Sequence, residues 1–222
     1  MSSIKKITEV TVPADKKCGW TPTIEGDRIV GFKNPSLGSF THSAMLKDDG
    51  TFAYDFMLWD DGPIDPTTGL ATPGAITVPV RKGDDGKYYV RCFQQERPVI
   101  YDHINGVQGV TCYSFPGGFA IYTGESPEAV SRRESLEEAG IKLIDVKPVG
   151  YASANRANTR TCPNYFIAAY EQIKQTVAPE GEKIFGNFEF PIEDFPLGMD
   201  GLVNNAWAFA IKYLLYNNNN PV

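Results

Sequence analysis

Short apolar runs separated by turn-forming residues fill the first third of the chain. Two of these runs, 28–32 and 51–58, lie between Gly-Asp, Asn-Pro and Asp-Asp-Gly sequences, which are frequent in turns. Runs of this length between turn signals predict short strands and hairpins and argue against helices. We therefore expect residues 1–75 to form a β-rich segment.

Longer β-type runs and a C-terminal helical segment follow. Residues 75–80 and 87–93 flank the turn sequence 82–86 and predict a hairpin. Further strands are predicted, in chain order, at 107–116, 147–153, 165–170 and 184–190. A helix is predicted at 202–216, and the asparagine run 217–220 predicts a frayed tail.

The clearest local signal is a central helix. Ser126 is a good N-cap, Pro127 suits the first helical position, and Gly140 suits the C-terminal cap. These signals predict a helix of about 13 residues between Ser126 and Gly140. Strands, a central helix, further strands and a final helix indicate a mixed α/β layered domain. We assign this domain to residues 76–216, preceded by the β-rich segment and followed by a tail at 217–222.

Composition narrows the class of protein without changing this picture. The chain has 222 residues, of which 42% are hydrophobic and 22% charged, as in ordinary globular proteins. Its net charge of −6 opposes binding to nucleic acid and suits a protein that gathers metal cations. The chain has no C-x-x-C pair, no signal peptide and no apolar run long enough for a bilayer, so we expect a cytoplasmic protein without membrane contacts.

Three glutamates share one side of the central helix. Glu134, Glu137 and Glu138 are spaced i, i+3 and i+4 and cover a sector roughly 100° wide. One interpretation is a solvated acidic face, partly offset by neighbouring arginines. The other is a site for a hard cation such as Mg²⁺ or Mn²⁺, because carboxylate oxygens suit these ions, and spacing alone does not decide. The opposite side, which we expect to face the core, carries Ala129, Leu136 and Ala139.

The residues around this helix resemble the Nudix box. The matching positions are Gly118, Glu125, Arg133-Glu134, Glu137-Glu138, Gly140 and Ile141, with seven residues between Glu125 and Arg133. Two positions depart from that signature. Six residues instead of five separate Gly118 from Glu125, and Ser135 stands where an aliphatic residue is usual.

This resemblance implies a Nudix hydrolase, which is an α/β/α sandwich with a mixed sheet. Such enzymes use divalent metal and water to cleave a nucleoside diphosphate derivative. The implied ligands of Mg²⁺ or Mn²⁺ are Glu134, Glu138 and the backbone carbonyl of Gly117. Glu137 is implied as a further ligand, directly or through water, and as a catalytic residue. The residues implied to hold the loop and the helix in place are Gly118, Glu125 and Arg133.

A second resemblance concerns the substrate. The segment 95–98, Gln-Glu-Arg-Pro, looks like the Gln-x-Arg segment of ADP-ribose pyrophosphatases, which implies that Arg97 contacts the diphosphate or a ribose. The segment 179–184 lies where those enzymes carry an acidic loop with the catalytic base. Glu182, and after it Glu180, is implied in that role. Both segments are equally compatible with ordinary charged surface positions.

Two further features bear on the substrate. Ser114 stands, in the turn before the box, at a position where that subfamily usually carries a glutamate. Downstream of the box, Arg156 and Arg160 are candidates to bind phosphate or sugar, and they are equally compatible with a solvated loop.

The resemblance as a whole implies a metal-dependent pyrophosphohydrolase. Its expected substrate is ADP-ribose or another nucleotide sugar, and its products are a nucleoside monophosphate and a sugar phosphate. Two alternatives stay open, a non-catalytic nucleotide-sensing module and a hydrolase of dinucleoside polyphosphates or nucleoside triphosphates. In the resembled subfamily the N-terminal strands commonly mediate dimerisation, which implies a homodimer formed through residues 1–75.

Overall fold

The computed structural model describes most of the chain, with gaps. The described ranges are 21–25, 28–34, 38–68, 71–102, 106–152, 162–173, 184–198 and 200–217. Within these ranges the chain forms two β-sheets and two α-helices.

The first sheet is a four-stranded antiparallel meander. Its strands, in spatial order, are β1 (Thr21–Glu25), β2 (Arg28–Asn34), β3 (Gly38–Leu46) and β4 (Phe52–Asp61). The apolar runs predicted at 28–32 and 51–58 lie in β2 and β4. The division of the chain into a segment 1–75 and a domain 76–216 stays a prediction.

The second sheet is mixed. Its strands are β5 (Ala75–Lys82), β6 (Tyr88–Asp102), β7 (Val107–Ser114), β8 (Gly117–Gly118), β9 (Ile141–Tyr151), β10 (Asn164–Gln172) and β11 (Ile184–Pro191). The spatial order is β11-β6-β5-β10-β9, with β7 paired to β6 and β8 paired to β5. Strands β5 and β10 run parallel, with Ile76 opposite Tyr165, whereas the other described neighbours in this sheet are antiparallel.

Helices α1 (Pro127–Ala139) and α2 (Gly201–Tyr216) cover opposite faces of this mixed sheet. Ile76 and Tyr165 belong to the apolar cluster that contains the buried face of α2, whereas their neighbours Ala75 and Phe166 pack with Val130 of α1. Alternate residues of a strand point to opposite faces, so each central strand contributes to both layers. The expected α/β/α sandwich with a mixed sheet is confirmed. Neither of the helices in the described ranges is long and apolar enough to cross a membrane.

Helix α1 begins and ends where the cap signals predict. Ser126 Oγ accepts a hydrogen bond from the Ala129 amide at 3.2 Å, and Gly140 ends the helix in the left-handed conformation at φ 64°. The prediction of its inward face was partly wrong, because Leu136 is 45% exposed. The buried residues of the helix are Val130, Ser131, Ser135, Glu138 and Ala139. The helix is turned so that Glu138 reaches a backbone amide of β8, a contact that apolar periodicity does not reveal.

The strand predictions differ from the structure at β6, which continues to Asp102 instead of ending at residue 93, and at β9. The prediction for β9 began at residue 147, whereas the strand begins at Ile141, directly after the helix cap. Buried Ile141 and Leu143 alternate here with exposed Lys142 and Ile144, as one face of the strand packs beneath α1. This placement joins α1 to the sheet at its C-terminal end and thereby fixes the orientation of the carboxylate face.

Candidate functional site

Two adjacent glycines allow the backbone of β8 to lie against both β5 and α1. A Cβ added to Gly117 would lie 2.7 Å from the Ala75 carbonyl oxygen, and one added to Gly118 would lie 2.6 Å from Glu134 Cδ. Close approach, and not a positive φ, therefore requires glycine at both positions. The result is a carboxylate packed directly against a bare stretch of backbone.

Glu134 and Glu138 are the two glutamates of α1 that turn toward this backbone. The Gly117 amide donates a hydrogen bond to Glu138 Oε2 at 2.8 Å, and Glu138 is 6% exposed. The Glu134 side chain is 12% exposed, whereas that of Glu137 is 45% exposed. Two of the three predicted carboxylate ligands, Glu134 and Glu138, are thus largely shielded from solvent, and the third, Glu137, is open to it.

Arg133 ties the helix to the preceding loop. Its Nη1 lies 2.6 Å from Glu134 Oε1 and 3.3 Å from Glu137 Oε2, and its Nε lies 3.2 Å from Glu125 Oε1. Its Nη2 also donates to the Phe119 carbonyl at 2.8 Å. The planar guanidinium therefore neutralises carboxylates from both segments and offsets the repulsion between neighbouring glutamates.

Glu125 is the buried partner of this arginine in the loop. It also accepts a hydrogen bond from the Ile121 amide at 2.8 Å. Burial acts to raise the pKa of the Glu125 carboxyl, but the bonds from Arg133 and the Ile121 amide outweigh it and hold that pKa below its ordinary value. Burial acts to lower the pKa of Arg133, and Glu125 and Glu134 raise it overall. Both groups are therefore charged at neutral pH, as the supporting role predicted for them requires.

The predicted metal ligands are brought to one place but are not arranged around a common point. In the described ranges no group of three or more His, Cys, Asp or Glu side chains is placed to hold a metal ion. Arg133 lies between Glu134 and Glu137, and Glu138 is bonded to the Gly117 amide. The donor set nevertheless fits Mg²⁺ or Mn²⁺ in kind, because it consists of carboxylate oxygens beside the Gly117–Gly118 backbone.

Four of the predicted site residues cannot be placed. They lie outside the described ranges and are Arg156, Arg160, Glu180 and Glu182. Their roles as phosphate contacts and catalytic base stay predictions.

Arg97 lies on β6, in a cluster of polar side chains that the sequence only partly indicated. Its Nη2 donates to Ser114 Oγ at 3.4 Å and lies 3.6 Å from Asp200 Oδ2. Its buried Nε has no hydrogen-bond partner among the described residues. The same holds for Oε1 of Gln95, which is 6% exposed and lies two residues away along β6. A donor and an acceptor without partners are thus held on one face of the strand.

Sequence reasoning gave Gln95 no role and did not identify Asp200. Gln95 was visible as the first residue of the segment 95–98. Asp200 was visible only as an N-cap residue type directly before the final helix. Its proximity to Arg97 depends on the fold, because the two residues are distant in sequence.

Comparisons with known proteins support the fold. No family model matches the chain, and no curated protein matches it. Among solved structures, 126 chains match. One is described as the crystal structure of an ADP compounds hydrolase, which superposes with a TM-score of 0.58 at 14% sequence identity. The match covers 92% of this chain and 95% of that chain, so the likeness in fold extends over nearly the whole molecule.

Proposed function

We propose that the protein is a Nudix-type hydrolase that depends on Mg²⁺ or Mn²⁺. Its substrate is a nucleoside diphosphate derivative, ADP-ribose or another nucleotide sugar, which it cleaves to a nucleoside monophosphate and a sugar phosphate. The observation that carries the proposal is the packing of Glu134 and Glu138 against the Gly117–Gly118 backbone. The similar solved structure adds support, because its name assigns it the hydrolysis of ADP compounds.

The carboxylates of α1 would hold the cation. In this proposal Glu134 and Glu138 are the principal ligands, joined by Glu137 and by the Gly117 carbonyl. A bound divalent cation would neutralise the diphosphate oxygens and lower the pKa of a bound water. The protein contributes confinement, since Glu134 and Glu138 are largely shielded from bulk water. Arg133 and Glu125 keep loop and helix in register.

The cluster of polar side chains around Arg97 on β6 would bind the substrate. Arg97 Nε supplies a donor for a phosphate oxygen, and Gln95 Oε1 supplies an acceptor for a hydroxyl group, such as that of a ribose. Buried polar atoms without partners are costly, so a ligand that completes both bonds gains affinity. Arg156 and Arg160 are proposed as additional phosphate or sugar contacts, and Glu182 or Glu180 as the catalytic base.

The test is a panel of nucleoside diphosphate derivatives assayed with Mg²⁺ and Mn²⁺. We expect Glu138→Gln and Glu137→Gln to reduce turnover by at least about 100-fold while the fold is retained, since each removes charge from the cation site. Glu128→Gln is the matched control, because Glu128 lies on the same helix and pairs with Arg132 at an exposed position. Hydrolysis near the wild-type rate in both variants would contradict the assignment.

The products separate the alternatives. A nucleoside monophosphate with a sugar phosphate is the expected result. Hydrolysis confined to dinucleoside polyphosphates or nucleoside triphosphates would favour the alternative of a hydrolase for those compounds. Tight nucleotide binding without a metal-dependent product would favour the nucleotide-sensing module, in which Arg133 would serve as the permanent counterion of the carboxylates.

We also propose a homodimer formed through the first sheet. Pro22, Phe32, Phe40 and Trp59 lie side by side across its four strands in cross-strand register. Phe32 is 44% exposed and Trp59 is 47% exposed, so an apolar row faces solvent in the single chain. Light scattering of the wild type and of Trp59→Ser tests this, with a monomeric wild type as the contradicting result.

A further inference from the structure

The two carboxylate oxygens of Asp200 have different partners. Oδ1 accepts hydrogen bonds from the Leu202 amide at 2.9 Å and the Val203 amide at 3.4 Å, and so caps α2. Oδ2 lies 3.6 Å from Arg97 Nη2. The Asp200 side chain is 14% exposed. Asp200 therefore joins the start of α2 to Arg97 on β6.

This contact fixes one edge of a long, flexible side chain. Arg97 donates a hydrogen bond through Nη2 to Ser114 and forms an ion pair with Asp200 through the same atom, while its buried Nε has no hydrogen-bond partner among the described residues. A guanidinium held at one edge presents its remaining donors in a set direction. Less conformational freedom is then lost when a ligand binds.

The two side chains beside Arg97 Nη2 differ in charge. Ser114 offers a neutral hydroxyl, which accepts a hydrogen bond from Arg97. The carboxylate beside Arg97 belongs to Asp200, the N-cap residue of α2. A cap needs only one oxygen acceptor, which a neutral asparagine also supplies. The negative charge of Asp200 is thus not required by the helix itself.

We propose that Asp200 is a positioning residue for substrate binding, which holds Arg97 so that the rest of its guanidinium meets the diphosphate. The proposal rests on the function proposed above. Asp200 does not touch the reacting atoms in this arrangement, and it acts through Arg97. Loss of its charge therefore weakens binding of substrate and leaves the chemical step intact.

The test compares Asp200→Asn with the wild type in the full chain. Asparagine caps a helix as well as aspartate does, so the melting temperature should stay within about 2 °C. We expect KM to rise up to about fivefold, in line with the loss of an ion pair between partly shielded side chains, and kcat to stay within about twofold. Asp145→Asn is the matched control, because it removes an equal charge from an exposed pair with Lys147.

A double-mutant cycle isolates the coupling. If Asp200 acts through Arg97, Asp200→Asn should change KM by less than about twofold in an Arg97→Ala background. An unchanged KM in Asp200→Asn alone, a fall in kcat without a change in KM, or an equal effect in both backgrounds would overturn the positioning role. A wild type that neither hydrolyses nor binds any nucleoside diphosphate derivative would instead overturn the proposed function.

Discussion

Replacement of Gly118 by alanine should damage the site while leaving the fold nearly intact. The new Cβ would lie 2.6 Å from Glu134 Cδ. Carbon–carbon contacts are optimal at about 3.5–4.0 Å, so the carboxyl carbon must retreat by roughly 1 Å. The obstacle is the end of a flexible side chain, which can rotate away. We therefore expect a loss of less than about 1 kcal/mol in the free energy of unfolding.

The same displacement is large on the scale of an active site. A misplacement of about 1 Å can lower catalytic efficiency by roughly 100-fold. For Gly118→Ala we expect a fall of that order in kcat/KM for the best nucleoside diphosphate derivative. We also expect weaker Mn²⁺ binding, which can be measured by electron paramagnetic resonance independently of turnover.

Gly117→Ala provides the matched control. Its Cβ would lie 2.7 Å from the Ala75 carbonyl oxygen and 2.8 Å from Ile76 Cγ1, inside the sheet. The backbone of β5 cannot rotate away, so this variant should lose about 1–3 kcal/mol of stability. The reasoning is refuted if Gly118→Ala hydrolyses substrate within about threefold of the wild type, or if its melting temperature falls as far as that of Gly117→Ala.

Three further predictions concern stability. Ser135 Oγ is buried without a hydrogen-bond partner among the described residues, so Ser135→Ala should leave the free energy of unfolding unchanged or raise it by up to about 1 kcal/mol in urea denaturation. Ser131→Ala should lower the free energy of unfolding by about 1–3 kcal/mol, because it removes the hydrogen-bond partner of the buried Thr77 hydroxyl. Equal effects of the two serine substitutions would contradict both expectations. Because the native pKa of Glu125 is lowered, its stabilisation is complete above an unfolded-state pKa of 4.5 and is lost as pH falls below that value. Glu125→Gln should therefore lose less stability than the wild type on acidification, and parallel pH profiles would refute this.

Local signals explain what the sequence predicted well. The boundaries of α1 follow from Ser126, Pro127 and Gly140, each of which acts within one turn of the helix. The central strands followed from short β-type runs between turns, and the layered fold followed from their order. These features depend on residues close together in the chain, so a single sequence contains the information.

Long-range contacts explain what the sequence did not predict. The inward face of α1 depends on the bond between Glu138 and the Gly117 amide, which joins two elements through the fold. Apolar periodicity placed Leu136 inside because it takes account of apolar residues alone and not of a glutamate held by a backbone amide. Likewise, the pairing of Arg97 with Asp200 needs β6 and α2 to meet at one end of the sheet. A motif identifies residue types at set spacings and cannot supply a partner from a distant helix.

The distribution of charge connects these contacts to the proposed chemistry. A chain with a net charge of −6 repels an anionic diphosphate, and Glu134, Glu137 and Glu138 of α1 strengthen that repulsion locally. Arg133 offsets part of this charge, but it is engaged with Glu125, Glu134 and Glu137 and is poorly placed to contact a substrate as well. Attraction for the diphosphate must therefore come from a cation held by the glutamates and from an arginine with donors to spare. In the described part of the site Arg97 meets the second requirement, because its pairing with Asp200 uses Nη2 and leaves Nε for a ligand.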